Sequence, residues 1–369
     1  MQEPPLGGLS PQAFLRDYWQ RRPLLVRGAL PAHRGVIATR ALFALAARDD
    51  VESRLIEGRR GRWRVTPGPI TAARLARAGA RGWTLLVNGV DHHAAAAEHL
   101  LRRFAFLSEA RLDDVMVSYA APGGGVGPHF DSYDVFLIQG AGSRIWRLSS
   151  KKAFECEPQA PLRLIRDFVP DEEYLLEPGD LLYLPPGWGH DGVALDPCLT
   201  ASIGFRAPRA AELSAAFLDY LHERGFRDAE YGDRGRRPSA RPARIDAALL
   251  GFAAARLAGI RWRRADVAEF LGRELSTPRL GVVFRGRRRP RRLPRAGDVV
   301  LDPRTRALYR GASFFINGEA LRPPPAQRAA LAVLADRRRA AAGALARAGL
   351  QRIVLDWVRD GYAHLERRR

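Results

Sequence analysis

The sequence predicts an α+β protein in which a block of short strands lies between helical segments. Between residues 115 and 205, short runs rich in β-branched and aromatic residues alternate with Gly/Pro turns; these runs are VMVSYA, DVFLIQ, RIWRLS, LYLPPG and LTASIGF. Regular spacing of short strands is typical of a sandwich or a barrel. On the C-terminal side, AAELSAAFLDYLHERGF places apolar residues at helical spacing.

The segment before the strand block predicts helices and one isolated strand. Residues 11–24, PQAFLRDYWQRRPL, predict a short amphipathic helix that ends before Pro23, and LLVRGAL predicts a strand after it. Residues 70–110 predict further helices, with an apolar interlude at TLLVNGV.

The segment after the block predicts a linker, helices and a hairpin. Residues 226–244 are polar and rich in Arg, Gly and Pro, which is typical of a mobile linker, and residues 245–275 predict helix. An Asn-Gly pair between apolar runs in ALYRGASFFINGEAL predicts a hairpin. Helices are also predicted at 326–347 and 350–365, so the end of the chain has a winged-helix-like pattern.

The composition predicts a reduced protein of the cytoplasm. The chain has 369 residues and two cysteines, Cys156 and Cys198. The start, MQEPPLGGLSPQAF, shows no signal-peptide pattern, and no apolar run approaches the ~20 residues of a membrane span. We therefore expect no membrane association.

The charge is distributed unevenly along the chain. The formal net charge is +20, but residues 111–200 hold seven basic and fourteen acidic residues, a local charge of −7. Residues 285–295, RGRRRPRRLPR, carry seven arginines. A high positive charge favours contact with RNA, although a genomic codon bias toward Arg explains the same composition. The acidic block favours a cationic substrate over nucleic acid, because charges beyond about 8 Å are screened at physiological salt.

A candidate metal site lies within the strand block. In GPHFDSYDVF, His129 and Asp131 are two residues apart, so on a strand they project from the same face. His190, in PGDLLYLPPGWGHDG, follows a predicted strand and a turn. Iron(II) is commonly bound by two imidazoles and one carboxylate. The alternative is a structural His–Asp pair with His190 at an ordinary turn.

Several stretches resemble the JmjC branch of the cupin superfamily, the iron- and 2-oxoglutarate-dependent oxygenases. They cover roughly residues 12–208 and read FLRDYWQRRPLLVRGAL, PGGGVGPHFDSYDVFLIQGAGSRIWRL, EPGDLLYLPPGWGHDGVAL and SIGFRAPR. QGAGSRIWRL and PPGWGHDG are most similar to the bacterial ribosomal oxygenases, which hydroxylate an arginine of a large-subunit ribosomal protein.

The resemblance implies a domain organisation. It implies a JmjC/cupin double-stranded β-helix with N-terminal helices in residues 1–208, and a helical dimerisation region in 209–280. A winged-helix-like domain would occupy 281–369, where the match is one of outline only. A homodimer is the expected state.

The resemblance also implies roles for individual residues. His129, Asp131 and His190 would bind iron(II), and Arg144 would bind the distal carboxylate of 2-oxoglutarate. A guanidinium can bind a carboxylate through two parallel hydrogen bonds. In RIWRL, Arg144 shares a strand face with Trp146. O2 would be the second cosubstrate.

Further pocket contacts are expected from the strand after His190. Thr200 and Ser202 are candidates for hydroxyl contacts to 2-oxoglutarate. The subgroup tends to have a second polar residue before its PGGG segment, whereas Ala120 and Ala121 stand there in this sequence. That departure leaves one side of the pocket open.

The substrate is expected to be an arginine of ribosomal protein sixteen of the large subunit. Asp134 and Asp191 adjoin the metal ligands, and Tyr133 flanks them, so all three are candidates for substrate contacts. Two other hypotheses remain: the same chemistry on tRNA or on an N-methylated lysine, and a non-enzymatic cupin-type ribosome-assembly factor. The basic C-terminal regions are candidates for rRNA contact.

Overall fold

The computed structural model describes residues 3–31, 35–59, 62–151, 153–225, 229–279, 281–286, 288 and 290–366. The chain forms two compact units. Unit 1 comprises Met1–Ala207, Pro278–Thr305 and Arg338–Arg369, and unit 2 comprises Pro208–Thr277 and Arg306–Arg337. The domain boundaries predicted from the sequence stay a prediction.

The strands described in the structure are numbered in chain order. They are β1 Leu24–Val26, β2 Ser53–Arg59, β3 Arg62–Pro67, β4 Trp83–Val87, β5 Leu112–Ala120, β6 His129–Phe130, β7 Val135–Ala141, β8 Arg144–Ser149, β9 Glu172–Leu176, β10 Leu181–Leu184, β11 Gly189–Ala194, β12 Cys198–Phe205, β13 Asp298–Leu301, β14 Ala307–Arg310, β15 Ser313–Ile316, β16 Glu319–Leu321, β17 Arg339–Ala341 and β18 Ala363–Glu366.

The helices are numbered in the same way. They are α1 Pro11–Asp17, α2 Thr39–Ala46, α3 Ala72–Ala78, α4 Ala95–Arg102, α5 Ala210–Glu223, α6 Ala247–Ala258, α7 Arg264–Ser276, α8 Pro325–Arg337, α9 Ala342–Arg347 and α10 Gln351–Asp360. Short 3-10 turns occupy Val90–His92 and Glu109–Arg111. Within the described residues, no helix has the length and apolar character of a membrane span.

Two antiparallel sheets dominate unit 1. The larger has the strand order β1-β10-β7-β12-β5-β4-β2-β3, and the smaller has the order β6-β11-β8-β9. The strand block predicted from the sequence is confirmed, since its runs correspond to β5, β7, β8, β10 and β12. The predicted strand LLVRGAL is β1, and the apolar interlude TLLVNGV is β4.

Alternation along the strands separates an interior between the two sheets from an outer face. In β7, Leu137 packs with Trp146 and Leu148 of β8, from the smaller sheet. Phe136, one residue earlier, packs in the other cluster with Phe14 of α1. This follows from the strand period of two, which sends successive side chains to opposite faces. The interior between the sheets is where the candidate metal ligands lie.

Helix α1 ends earlier than the sequence predicted. Ser10 caps it by accepting a hydrogen bond from the Ala13 N–H at 3.1 Å, and Phe14 is fully buried. The helix ends at Asp17 rather than just before Pro23. Gln20 has a φ of 56° and donates its backbone N–H to the Tyr183 hydroxyl at 2.8 Å, which is incompatible with a continued helix.

Unit 1 also contains a third sheet, with the order β17-β13-β18, and helices α9 and α10. The prediction of continuous helix over 326–347 is wrong. The segment forms two helices, α8 and α9, and the first of them ends before Arg338, which has a φ of 55°. The helix predicted for 350–365 ends at Asp360, because Gly361 adopts a left-handed φ of 81° at the C-terminus.

Unit 2 contains helices α5–α8 and a three-stranded sheet, β14-β15-β16. The predicted Asn-Gly hairpin is confirmed, since Asn317 and Gly318 have φ values of 48° and 88° between β15 and β16. Positive φ at both positions is typical of a type I′ turn. Gly272 of α7 packs so closely on the Phe315 ring that a Cβ there would collide with it.

Candidate metal centre and cosubstrate pocket

The structure brings together the three residues that the sequence predicts as metal ligands. His129 lies on β6 directly opposite His190 on β11, and Asp131 follows β6. The two imidazole centroids are 4.2 Å apart, and His190 Nε2 lies 3.8 Å from Asp131 Oδ2. One ligand atom from each residue fits within a span of 4.8 Å.

Both histidines present the correct nitrogen for metal binding. The Nδ1–H of His129 donates to the Gly127 carbonyl at 2.9 Å, and the Nδ1–H of His190 donates to the Trp188 carbonyl at 3.0 Å. A carbonyl oxygen only accepts, so each Nδ1 carries the hydrogen and each Nε2 keeps its lone pair. Burial and the neighbouring His129 lower the pKa of His190, which favours the neutral, metal-binding form.

Glycines before β6 allow the close approach that places His129. Gly127 has a φ of 79°, and a Cβ there would lie 2.7 Å from the Trp63 ring. At Gly125 a Cβ would lie 2.6 Å from the Gly192 carbonyl oxygen of β11. The Gly-rich segment is therefore needed for β6 to lie against β11.

Arg144 is a buried cation with an incomplete set of partners. Its residue exposure is 5%, and its guanidinium carbon lies 5.6 Å from the Trp146 ring, which confirms that the two share a face. Nη1 donates to Ser118 Oγ at a long 3.5 Å. In the described part of the chain, Nε and Nη2 are buried without any hydrogen-bond partner. Burying a guanidinium in this way is costly, so the pocket fits an anion.

Ser118 is a pocket residue that the sequence analysis missed. It lies on the inward face of β5, directly opposite Thr200 in the ladder with β12. Ala120 instead packs with Ala194 and Cys198 in a small apolar cluster. Ser118 therefore supplies the polar group that Ala120 and Ala121 lack. Because residues two apart on a strand share a face, alternation back from Ala120 would have predicted this position.

Thr200 and Ser202 lie on the inward face of β12. Both are buried, and they stand opposite Gln139 and Leu137 of β7. The Thr200 hydroxyl donates to Gln139 Oε1 at 2.9 Å. Both residues therefore lie in the predicted region, but the Thr200 hydrogen is already engaged by Gln139.

Asp134 lies on the outer face of the larger sheet and not at an opening. It is fully buried, and it accepts hydrogen bonds from the Tyr183 hydroxyl at 2.7 Å and from Gln20 Nε2 at 3.0 Å. Burial raises the pKa of its carboxyl. Because Asp134 shares the orientation of Phe136, alternation directs it away from the interior. We expect it to stabilise the fold rather than to contact substrate.

Asp191 and Tyr133 differ in their surroundings. Asp191 is on the opposite face of β11 from His190, across from Arg147, and Arg147 Nη1 lies 3.9 Å from Asp191 Oδ2. Tyr133 keeps 39% of its surface exposed. Partial burial and the nearby Asp131 raise the pKa of the Tyr133 hydroxyl. Of the three predicted substrate contacts, Tyr133 alone combines exposure with proximity to a metal ligand.

A carboxylate pair at the start of β5 was also missed by the sequence analysis. Arg279 Nη1 donates to Asp114 Oδ2 at 2.9 Å, and Arg279 Nε donates to Asp113 Oδ1 at 3.2 Å. Burial raises the pKa of Asp114 to about 6. Asp114 and Ser118 occupy the same face of β5 because they are four residues apart. This pair binds a guanidinium in the structure.

Family models match both parts of the chain. A model described as the JmjC domain matches residues 99–213, and one described as a ROXA-like winged helix matches residues 259–364. Together with the three-ligand cluster between two antiparallel sheets, these matches define a JmjC-domain protein with the cupin fold and a C-terminal winged helix. The fold class predicted from the sequence is confirmed.

Known relatives narrow this class to one family. The chain is 40% identical over 235 residues to the "Ribosomal protein uL16 3-hydroxylase" of Escherichia coli, an alignment that spans 63% of the chain and 62% of the relative. The X-ray structure of E. coli ycfD matches with a TM-score of 0.84 and 31% identity, over 97% of this chain and 99% of that one. A structure of this E. coli ribosomal oxygenase with cobalt and 2-oxoglutarate matches with a TM-score of 0.81, 31% identity and coverage of 97% and 99%. The chain belongs to the family of bacterial JmjC ribosomal oxygenases.

Proposed function

We propose that this chain is an iron(II)- and 2-oxoglutarate-dependent oxygenase that hydroxylates an arginine side chain of a ribosomal protein. The observation that carries the proposal is the buried guanidinium of Arg144, which has two nitrogens without a partner among the described residues and shares an interior with the three-ligand cluster. A dianionic keto acid that reaches from a metal to a buried cation satisfies both features.

The residues of the pocket have separate tasks. His129, Asp131 and His190 would hold iron(II), and Arg144 with Ser118 would bind the distal carboxylate of 2-oxoglutarate. Bound iron supplies the oxidising chemistry, in which O2 is consumed and succinate and CO2 are released with the hydroxylated product. The protein orients the reactants, and apolar side chains such as Leu137 and Trp146 exclude water around them.

An arginine substrate is supported by the charge of the strand block, because residues 111–200 carry seven basic and fourteen acidic residues and an acidic surface attracts a guanidinium. The carboxylates of Asp113 and Asp114 are themselves already bound by Arg279, and that of Asp113 also by Arg206. Tyr133, which is 39% exposed and lies two residues from Asp131, offers an aromatic side chain next to a metal ligand. Given the name of the E. coli relative, ribosomal protein sixteen of the large subunit is the proposed target, and the cytoplasm is the proposed location of the reaction.

The direct test uses a peptide from that ribosomal protein. The full chain is incubated with iron(II), 2-oxoglutarate, O2 and the peptide, and the expected result is a mass gain of one oxygen atom with stoichiometric succinate. A peptide with the target Arg replaced by Gln should gain nothing. Equal oxidation of both peptides would contradict arginine hydroxylation, as would modification of tRNA or of a methylated lysine in place of the peptide.

The metal ligands are tested by direct metal analysis. His129→Ala and Asp131→Ala are each expected to reduce bound iron to background and to abolish succinate formation, because each removes one of three ligands. The matched control is His99→Ala, on an exposed position of α4, which should retain wild-type iron content. Wild-type turnover in both ligand variants would contradict the assignment.

A homodimer formed by the helices of residues 209–275 is part of the proposal. Helix α6 has no buried residue in the described structure, although its sequence is AALLGFAAARLA. Leu250 and Leu257 are exposed by 63% and 68%, and Trp262 after the helix by 56%. Apart from Phe252, which contacts the Tyr231 ring, the apolar side chains of α6 are mostly exposed among the described residues, and such a helix is suited to packing against a second copy.

We also propose that the Arg-rich segment 285–295 contacts rRNA. Its described arginines Arg285, Arg288, Arg291, Arg292 and Arg295 are exposed, whereas Arg287 and Arg289 lie outside the described residues. Exposed arginines at this density bind phosphate and release counterions, so binding to an rRNA fragment should weaken steeply as salt rises. Affinity independent of salt would contradict this role.

A further inference from the structure

Gln139 has an amide orientation that the backbone dictates. The residue is fully buried on the inward face of β7. Its Nε2 donates to the Ala141 carbonyl and to the Gly142 carbonyl, both at 2.9 Å. An amide nitrogen has two hydrogens, and both are used here. The opposite orientation would place Oε1 against two carbonyl oxygens, so Oε1 must point toward Thr200.

This orientation decides what the Thr200 hydroxyl offers to the pocket. Thr200 Oγ1 donates to Gln139 Oε1 at 2.9 Å, and a hydroxyl has one hydrogen to donate. Thr200 therefore presents only lone pairs to the interior. A carboxylate is a pure acceptor when ionised, so Thr200 has no favourable hydrogen bond to give it.

Ser118 is in the opposite situation. Its Oγ lies 3.4 Å from the Thr200 carbonyl oxygen and 3.5 Å from Arg144 Nη1. Both distances exceed the ordinary 2.5–3.2 Å range of strong O–H and N–H hydrogen bonds. The hydroxyl hydrogen of Ser118 is therefore weakly held, and it can turn to an anion bound by Arg144.

Gln139 also stabilises the turn that introduces Arg144. The turn between β7 and β8 is held on one side by the Gln139 amide. On the other side, the Ser143 N–H donates to Asp196 Oδ1 at 2.8 Å. Gly142 has a φ of 59°, and a Cβ there would collide with Asp196 and Pro197. Arg144 directly follows the Gly142–Ser143 turn, so its backbone position depends on these contacts.

We propose that Gln139 is a positioning residue that makes Ser118, and not Thr200, the hydroxyl donor to the distal carboxylate of 2-oxoglutarate. The inference rests on the proposed function, because it concerns that cosubstrate. Among the described residues, the side chain of Gln139 is hydrogen-bonded to Ala141, Gly142 and Thr200 and to none of the metal ligands, so it acts by fixing the Thr200 hydrogen and the turn before Arg144.

The test measures the dissociation constant of 2-oxoglutarate on the full chain loaded with cobalt(II), by calorimetry, together with the melting temperature of each variant. Ser118→Ala should raise the constant about tenfold, the effect of losing one hydrogen bond to a charged group, with a nearly unchanged melting temperature. Thr200→Val should do the reverse: the melting temperature falls, because Gln139 Oε1 loses its donor, while the dissociation constant stays within twofold. Thr200→Ser keeps the hydroxyl and should match the wild type in both.

A double variant separates this role from simple packing. Gln139→Met fills the same space but releases the Thr200 hydrogen. In that background, Thr200→Val should weaken 2-oxoglutarate binding severalfold, although in the wild type it leaves the dissociation constant within twofold. In the wild type, the side-chain amide hydrogens of Gln139 should also exchange slowly with deuterium, with or without 2-oxoglutarate, which tests the orientation without any variant. Equal losses of affinity in Thr200→Val and Ser118→Ala, or fast exchange of these hydrogens, would overturn the inference and leave the proposed function intact. A wild-type chain that binds no 2-oxoglutarate would overturn both.

Discussion

Replacing Arg144 by Met is expected to stabilise the cosubstrate-free protein while it removes cosubstrate binding. Arg144 is 5% exposed, and Nε and Nη2 have no partner among the described residues. An unsatisfied buried donor costs about 1–3 kcal/mol. Methionine matches the aliphatic stem of arginine and has no polar group, so Arg144→Met should raise the free energy of unfolding by about 1–3 kcal/mol without 2-oxoglutarate.

With 2-oxoglutarate present, the order of stability should reverse. A charge-assisted hydrogen bond contributes about 1.5–3 kcal/mol, so loss of the guanidinium should raise the dissociation constant at least tenfold. Saturating 2-oxoglutarate should therefore stabilise the metal-loaded wild type and barely affect Arg144→Met. Iron content should not change, because Arg144 is not one of the three clustered ligands.

Thermal unfolding of the metal-loaded chains, with and without 2-oxoglutarate, measures both effects. The matched control is Arg147→Met on the same strand, because Arg147 faces outward, where its Nε donates to Glu173 Oε2 at 2.8 Å. That control should keep the wild-type response to 2-oxoglutarate. The reasoning is refuted if Arg144→Met is less stable than the wild type without cosubstrate, or if 2-oxoglutarate stabilises the two equally.

Three further predictions concern other parts of the chain. Burial raises the pKa of Asp114 to about 6 from an ordinary 3.8, so its ionisation destabilises the folded state as pH rises. The stability of Asp114→Asn relative to the wild type should thus improve by about 2–3 kcal/mol between pH 4 and pH 7 in denaturant titrations, and a difference independent of pH would contradict this. Leu250→Glu, at a position that is 63% exposed on α6, should convert the proposed dimer to a monomer in light scattering, and a dimer mass in this variant would exclude α6 from the interface. Arg338→Ala should lower the free energy of unfolding by more than about 2 kcal/mol, whereas the adjacent and exposed Arg337→Ala should have little effect; equal stability of the two variants would be inconsistent with this assignment.

Alternation along single strands made part of the site predictable. His129 with Asp131, and Arg144 with Trp146, share faces because residues two apart on a strand always do. The distant His190 was singled out because it follows a predicted strand and a turn within the strand block, and the resemblance to a known family agreed with that choice. Local sequence was sufficient wherever the geometry depended on a few consecutive residues.

Strand alternation could not predict contacts between segments that are distant in sequence. Asp134 was predicted as a substrate contact, but its carboxylate is instead engaged by Tyr183 and Gln20, which are 49 and 114 residues away. Asp114 is paired with Arg279, which is 165 residues away, and no local sequence pattern predicts that pair. Carboxylates near a site are hard to assign from sequence because burial and partner choice are properties of the packed structure.

The predicted helix boundaries were wrong where the contacts of a side chain outweigh the local helix propensity. Residues 326–347 have a helical pattern, yet the helix breaks at Arg338 because its guanidinium binds the carbonyls of Thr305 and Asp302, at 2.9 and 2.7 Å. A non-glycine residue at positive φ is unfavourable alone, and these buried contacts offset the cost. The Asn317–Gly318 turn was predictable because its own residues favour the required backbone.

The path of the chain through unit 1 has a consequence for how this protein is made. Its third sheet joins β13 from the second stretch of the unit to β17 and β18 from the third, and residues of unit 2 separate these stretches. A fragment ending at residue 208 would retain every predicted metal ligand but lack the strands of that sheet. Chains are synthesised from the N-terminus, so unit 1 can be completed only after β18 has left the ribosome. Between the synthesis of His190 and that of β18, the nascent chain carries all three predicted metal ligands on an unfinished fold, and termination between residues 208 and 363 would release a chain with these ligands but without that strand.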